Sequence, residues 1–205
     1  MSTLEPRIYL ASTSPRRREL LTQIHVRFDT LLFRGPGRHD EDIDEGVLPG
    51  EDVTTYVRRV ALAKAEGGVR RIGWRGLRPQ PVLAADTTLE LDGKIIGKPD
   101  GPGHAAAILR ELSGRTHQVL TAVALSDGTR TLDRLSVSQV RFAHLSDEEI
   151  RYYVASGEPM DKAGAYGIQG RAAMFIEEMR GSYTGVVGLP LFETASLLRE
   201  FGYPV

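Results

Sequence analysis

The segment Leu10-Ala11-Ser12-Thr13-Ser14-Pro15-Arg16-Arg17-Arg18-Glu19-Leu20-Leu21 constrains the fold most, because it suits a strand, a tight loop and a helix start in that order. Ile8 to Ser12 reads as a short buried strand. Pro15 to Ile24 reads as a helix, with Leu20, Leu21 and Ile24 on one face. Ser14 suits the N-cap and Pro15 the first helical position. A first turn has free N–H groups and the positive end of the macrodipole, so it attracts anions. Three arginines there are each disfavoured, by a few tenths to about 1 kcal/mol, unless a polyanion is bound. Arginine also suits bidentate contacts to phosphate. The bland alternative is a solvated basic helix.

A second constraint is Pro81-Val82-Leu83-Ala84-Ala85, which reads as a buried strand ending at Asp86. In α/β folds ligands gather at the carboxyl ends of strands. Thr87 to Ile96 then reads as a hairpin turning at Asp92-Gly93, which would return Lys98 towards Asp86. Such an acid and lysine are a plain ion pair, or a general base or metal ligand beside a phosphate clamp. Glu45, in an acidic loop, and Lys64, in the following helix, are by themselves ordinary solvated charges.

The remaining elements follow from periodicity and breakers. Arg27 to Phe33 reads as a strand, Arg34 to Pro49 as a loop and Asp52 to Glu66 as a helix. Gly67 to Pro81 reads as a basic connector. His104 to Leu112 is a helix, and Gln118 to Leu125 and Asp133 to Phe142 are strands. Ser146 to Ala155 is a helix with the capping box Ser146…Glu149. Met174 to Met179 is a strand, and Leu189 to Phe201 a final helix with Pro190 in its first turn. Interleaved helices and strands give the α/β class with a mixed sheet.

Bulk properties exclude several functions. With 205 residues the chain suits one domain, or one body with two lobes. A formal net charge of -1 argues against a nucleic-acid-binding module. The lack of cysteine excludes disulfides, a thiol nucleophile and zinc–thiolate sites. A polar N-terminal segment and the lack of a long apolar run lead to the expectation of a soluble cytoplasmic protein with no membrane partner. The histidines His25, His39, His104, His117 and His144 lack metal-ligand spacing.

Five stretches in order resemble the Maf family of nucleotide pyrophosphatases. They are LASTSPRRRELL, IDE before a helix containing ALAKA, VLAADTTLELDGKIIGKP, LSGRTHQVLTAVAL and EPMDKAGAYGIQGRAAMFIEEMRGSYTGVVGLPLFET. The resemblance runs from about Ile8 to the C-terminal helix. It implies an inosine triphosphate pyrophosphatase-like fold, an elongated mixed β-sheet with flanking helices and two lobes around a cleft. It also implies hydrolysis of the α–β phosphoanhydride of nucleoside triphosphates, a divalent metal (Mg or Mn) and a homodimer.

Carried over by position, Asp86 matches the family's proton acceptor, and Arg17, Glu45, Lys64 and Lys98 its other charged active-site positions. Ser12 and Ser14 match the serines of the phosphate loop, and Arg16, Thr87 and Gln169 positions tied to substrate choice. Asp86 and Glu45 are the implied metal ligands. Glu158 to Gly170 and the triplet Asp86-Thr87-Thr88 resemble the branch acting on dTTP and UTP, rather than the one preferring 7-methyl-GTP. The loop Arg34 to Asp42 is longer than usual, so Asp44, Glu41 or Asp42 stand as alternatives to Glu45. The competing function is a nucleotide-binding regulator of septum formation without significant turnover.

Overall fold

The structure is a computed structural model that describes residues 6–32 and 43–205. Strand β1 (Ile8–Leu10) runs through a loop into α1 (Pro15–Gln23), and β2 (Phe28–Thr30) returns parallel beside β1. Helix α2 (Val53–Trp74) leads to β3 (Val82–Leu91), which turns at Asp92-Gly93 into β4 (Lys94–Ile96). Then come α3 (Pro102–Leu112), β5 (Thr116–Ser126), β6 (Thr131–Phe142) and α4 (Asp147–Ala155). Short 3-10 turns fill much of 158–175 before β7 (Ile176–Arg180), α5 (Tyr183–Val187) and α6 (Leu191–Glu200).

One mixed seven-stranded sheet carries everything, in the order β2-β1-β3-β5-β6-β7, with β4 also on β3. Strands β2, β1 and β3 are parallel; the β3–β4, β3–β5, β5–β6 and β6–β7 pairs are antiparallel. This is the expected α/β class with flanking helices.

The long central strands divide the core. Side chains alternate across a sheet. Val82 and Ala84 therefore join Val57, Ala61 and Ala65 of α2 on one face. Leu83 and Ala85 join Leu20 and Leu21 of α1 and Leu197 and Leu198 of α6 on the other. Farther along β3, Leu89 and Leu91 enter a separate cluster with Ile108 and Leu109 of α3, Ile150 of α4 and Phe142. Asp86, Thr87 and Thr88 interrupt the apolar pattern between these cores, and the cleft opens there.

Three readings from the sequence change. Helix α2 continues to Trp74, so most of the supposed connector is helical. Gly67 and Gly68 are buried, and a β-carbon on Gly68 would lie 2.6 Å from Val82 Cγ1. Gly68 permits close helix–sheet approach, while Gly67 lies against Ile43, each at the helix-propensity cost of glycine, about 1 kcal/mol. Strand β3 passes through Asp86 and ends only at Leu91, so Asp86 lies in the middle of a strand. Pro190 is the N-cap of α6, just before its first turn. The Ser146–Glu149 capping box forms as expected. Among the described residues, no helix is long and apolar enough to cross a membrane.

Candidate active site

The cleft encloses about 1120 Å³ and is lined from both lobes. Every residue singled out from the sequence, Ser12, Ser14, Arg16, Arg17, Glu45, Lys64, Asp86, Thr87, Lys98 and Gln169, lines it.

One wall is the loop and first turn from Ser12 to Arg17. Ser14 is the N-cap of α1, but its side chain makes no cap bond. Ser12 Oγ instead accepts the Ser14 N–H at 3.1 Å and Arg17 Nη1 at 3.4 Å. Arg17 Nε donates to the Gly188 carbonyl at 2.8 Å and Nη2 to Thr87 Oγ1 at 3.3 Å. A guanidinium has five N–H donors. Three are used, so one on each terminal nitrogen remains for a ligand. Burial draws the Arg17 pKa below its usual value, opposed by Asp86 and Glu45 and reinforced by Arg16. Arginine stays charged in proteins even so.

The opposite face of β3 supplies the carboxylate centre. Asp86 is 8% exposed, and Lys64 of α2 donates to its Oδ1 at 2.7 Å. The same ammonium lies 3.0 Å from Glu45 Oε1. Alternation places Asp86 on the α2 side and Thr87 on the α1 side, so adjacent residues serve different partners. Of Asp44 and Glu45, only Glu45 lines the cleft. Asp44 Oδ1 accepts the Gly46 N–H at 2.8 Å within its own turn, while Glu45 reaches the cleft. Glu41 and Asp42 lie outside the described residues. Tyr56 of α2 donates its hydroxyl to the Glu45 carbonyl at 3.1 Å. Burial, then Asp86 and Glu45, push this phenol up to about 12, so it remains a donor.

Lys98 departs from its expected contact. It is exposed in the cleft and has no ionic partner among the described residues; Lys64 is the lysine on Asp86. The hairpin returns the chain, but β3 runs on for five residues beyond Asp86 before turning.

Gln169 is exposed at the far wall, in a loop with more internal fixing than its glycines advertise. Glu158 is the hub, accepting from Tyr153 Oη at 2.9 Å and from the Arg171 N–H at 3.1 Å. Lys162 Nζ donates to the Glu158 carbonyl and to Asp161 Oδ1, both at 2.6 Å. Asp161 Oδ2 also lies 3.7 Å from Arg16 Nη2, linking this loop to α1 across the cleft. Tyr166, at the back of the loop, bonds His117 Nε2 at 2.8 Å. Tyr56 was not readable as a site residue, because it fits the packing pattern of its helix, while Lys162 and Tyr166 fell within the stretch Glu158 to Gly170 that resembles the dTTP and UTP branch.

Two carboxylates around one ammonium leave an excess negative charge at the cleft wall, beside unpaired cationic donors. This arrangement can hold a polyphosphate on one side and hard cations on the other. Among the described residues no group of three His, Cys, Asp or Glu side chains gathers to hold a metal.

Comparison with known proteins identifies the family. A family model described as Maf-like protein matches residues 7–201. A dTTP/UTP pyrophosphatase of Aromatoleum aromaticum is 68% identical over the full length of both chains. Its namesake in Dechloromonas aromatica is 58% identical over 96% of this chain and 98% of that one. The Chromobacterium violaceum protein of the same name is 53% identical over 99% and 98%. Among solved structures, the Staphylococcus aureus Ham1 protein matches with a TM-score of 0.50 at 16% identity, covering 95% of this chain and 97% of that one, a likeness of fold. The family match over nearly the whole chain, and relatives this similar end to end, place this protein in the Maf family.

Proposed function

We propose that this chain hydrolyses the α–β phosphoanhydride of dTTP and UTP, releasing the nucleoside monophosphate and pyrophosphate. The observation that carries the reading is the pairing of a half-used arginine fork on one side of β3 with the Lys64–Asp86–Glu45 centre on the other. Relatives such as the 68% identical dTTP/UTP pyrophosphatase of Aromatoleum aromaticum supply the bases.

In this reading Arg17, the α1 N-terminus and Lys98 hold phosphate oxygens, neutralising charge that would otherwise repel a nucleophile. Lys98, without an ionic partner among the described residues, is available to the phosphates. Asp86 Oδ accepts a proton from the attacking water, and Lys64 holds that carboxylate in place. Gln169 offers both a donor and an acceptor to a pyrimidine edge. Ser12 keeps the loop tight, and Ser14 has a hydroxyl left for a phosphate oxygen.

A divalent Mg or Mn ion fits the donor set. Glu45 and Asp86 are hard oxygen ligands that already share one cation, the Lys64 ammonium. Two carboxylates with water and substrate phosphates are a usual complement for Mg²⁺. When bound, such an ion lowers the pKa of water and neutralises phosphate charge. The chain is further read as one domain, as the continuous sheet supports, and as a homodimeric, cytoplasmic protein; light scattering checks the first assembly claim.

The test incubates the protein with dTTP, UTP, CTP, GTP, ATP and 7-methyl-GTP in Mg²⁺ or Mn²⁺ and separates the products. Monophosphate and pyrophosphate from dTTP and UTP are expected. Diphosphate plus phosphate would refute the bond assignment, and no turnover at all would favour the nucleotide-binding regulator.

A further inference from the structure

Thr121 of β5 is fully buried at 0% exposure, one strand behind the cleft. It sits directly opposite Thr87 in the β3–β5 ladder. Its neighbours on the same face, Val123 and Leu125, belong to the apolar core. A valine would fill the same volume there, and a buried hydroxyl is costly unless it is bonded. The hydroxyl therefore needs an explanation, and its contacts supply one.

The four groups involved form a directed chain. Arg17 Nη2 approaches Thr87 Oγ1 at 3.3 Å, Thr87 Oγ1 lies 3.0 Å from Thr121 Oγ1, and Thr121 donates to the Gly185 carbonyl at 2.8 Å. An arginine only donates and a carbonyl only accepts. Each hydroxyl between them has one hydrogen. Thr121 gives its hydrogen to Gly185, so Thr87 must give its own to Thr121. Thr87 can then only accept from Arg17, and it has no hydrogen to offer a phosphate oxygen. Gly185 makes this possible by its lack of a side chain, since a β-carbon there would lie 2.9 Å from Ser136 Oγ. The same α5 segment ends at Gly188, whose carbonyl takes Arg17 Nε.

We propose that Thr121 is a positioning residue for the phosphate clamp, fixing the Thr87 hydroxyl as an acceptor so that Arg17 is held with its two unused N–H groups turned to the substrate. The proposal rests on the pyrophosphatase reading above and identifies a buried residue on which its catalytic geometry depends.

The experiment compares steady-state kinetics of Thr121→Val, Thr121→Ser, Thr87→Val and the Thr121→Val/Thr87→Val double variant on the best triphosphate of the panel. Thr121→Val is expected to lower kcat about tenfold and raise KM up to about fivefold, because Thr87 loses the partner that keeps it an acceptor for the charged Arg17. Thr121→Ser, which keeps the hydroxyl, should stay within about threefold of the wild type. In the Thr87→Val background the second substitution should add less than about twofold, because the relay is already cut. Wild-type kcat and KM in Thr121→Val, or fully additive losses in the double variant, would overturn the proposal. If Thr121→Val does not fold, Thr121→Ala and Thr121→Ser replace it, differing only in the hydroxyl; equal kcat for that pair would also overturn it. If the wild type turns over no triphosphate, the functional reading fails, and calorimetry with inorganic triphosphate decides the relay alone. Binding about fivefold weaker in Thr121→Val than in the wild type supports it, and equal affinity refutes it.

Discussion

Lys64 Nζ stands 2.7 Å from Asp86 Oδ1 and 3.0 Å from Glu45 Oε1, so one ammonium bridges a strand carboxylate and a loop carboxylate. Neither acid is a sequence neighbour of the other. Helix α2 brings Lys64 across the sheet face, and Tyr56 on the same helix holds the Glu45 backbone. The ion pair is thus part of how the acidic loop is attached to the lobe.

Asp86→Asn keeps the shape of the side chain and removes its basicity. Activity on the preferred triphosphate should fall by roughly 10²–10⁴, the usual contribution of a positioned general base. The circular dichroism spectrum should be unchanged. Wild-type turnover in the variant would remove Asp86 from the proton-accepting role.

Lys64→Met leaves Asp86 and Glu45 facing one another without their shared cation. Both side chains of the Lys64–Asp86 pair are largely buried, so removing the ammonium should cost about 3–5 kcal/mol. Millimolar Mg²⁺ should then raise the Tm of the variant more than that of the wild type, because the ion takes the ammonium's place. Equal shifts in the two proteins would show that the carboxylates do not hold the ion together.

His117 gives the fold a specific acid sensitivity. Burial pushes its pKa down from 6.5 to about 4, and it is only 2% exposed. Between these values the unfolded chain binds the proton and the folded one does not, so stability falls as pH drops from about 6.5 towards 4. The full contribution is about 3 kcal/mol, at 1.36 kcal/mol per pKa unit. His117→Gln should lose less stability than the wild type between pH 7 and 4.5 in urea unfolding. Parallel pH profiles would locate the acid sensitivity elsewhere.

Gly164 has φ 71° and packs against Leu89, whose δ-methyl groups a β-carbon would overlap. Gly164→Ala should therefore cost about 2 kcal/mol or more through strain and overpacking. At this chain length that lowers Tm by roughly 5 °C. Because Gly164 N–H also bonds the Gly97 carbonyl at 2.9 Å, KM should rise as the loop bearing Gln169 shifts. An unchanged Tm would mean that the Leu89 contact yields freely.

Much of this protein was legible in its sequence. The β1–α1 unit, with Pro15 in the first turn and Leu20 and Leu21 buried, follows from local periodicity and helix-start chemistry. The Ser146 capping box and the Asp92-Gly93 hairpin are likewise local. Arg16, Arg17 and Asp86 were identifiable because clustered arginines at a helix start and an acid at the end of an apolar run conflict with simple packing, whereas Glu45 and Lys64 stood out only through the family resemblance. Tertiary structure decided which charges meet. Sequence spacing suggested Lys98 for Asp86, yet the partner is Lys64, because strand alternation turns Asp86 towards α2 and Thr87 towards α1. The glycines at 67 and 68 read as breakers, but Gly67 lies against Ile43 and Gly68 against Val82, which makes them packing residues inside a helix. The hydroxyl of Thr121 has no signature in the chain at all. Its role depends on a cross-strand neighbour and a carbonyl 64 residues away, and only the folded sheet brings those groups within hydrogen-bonding distance.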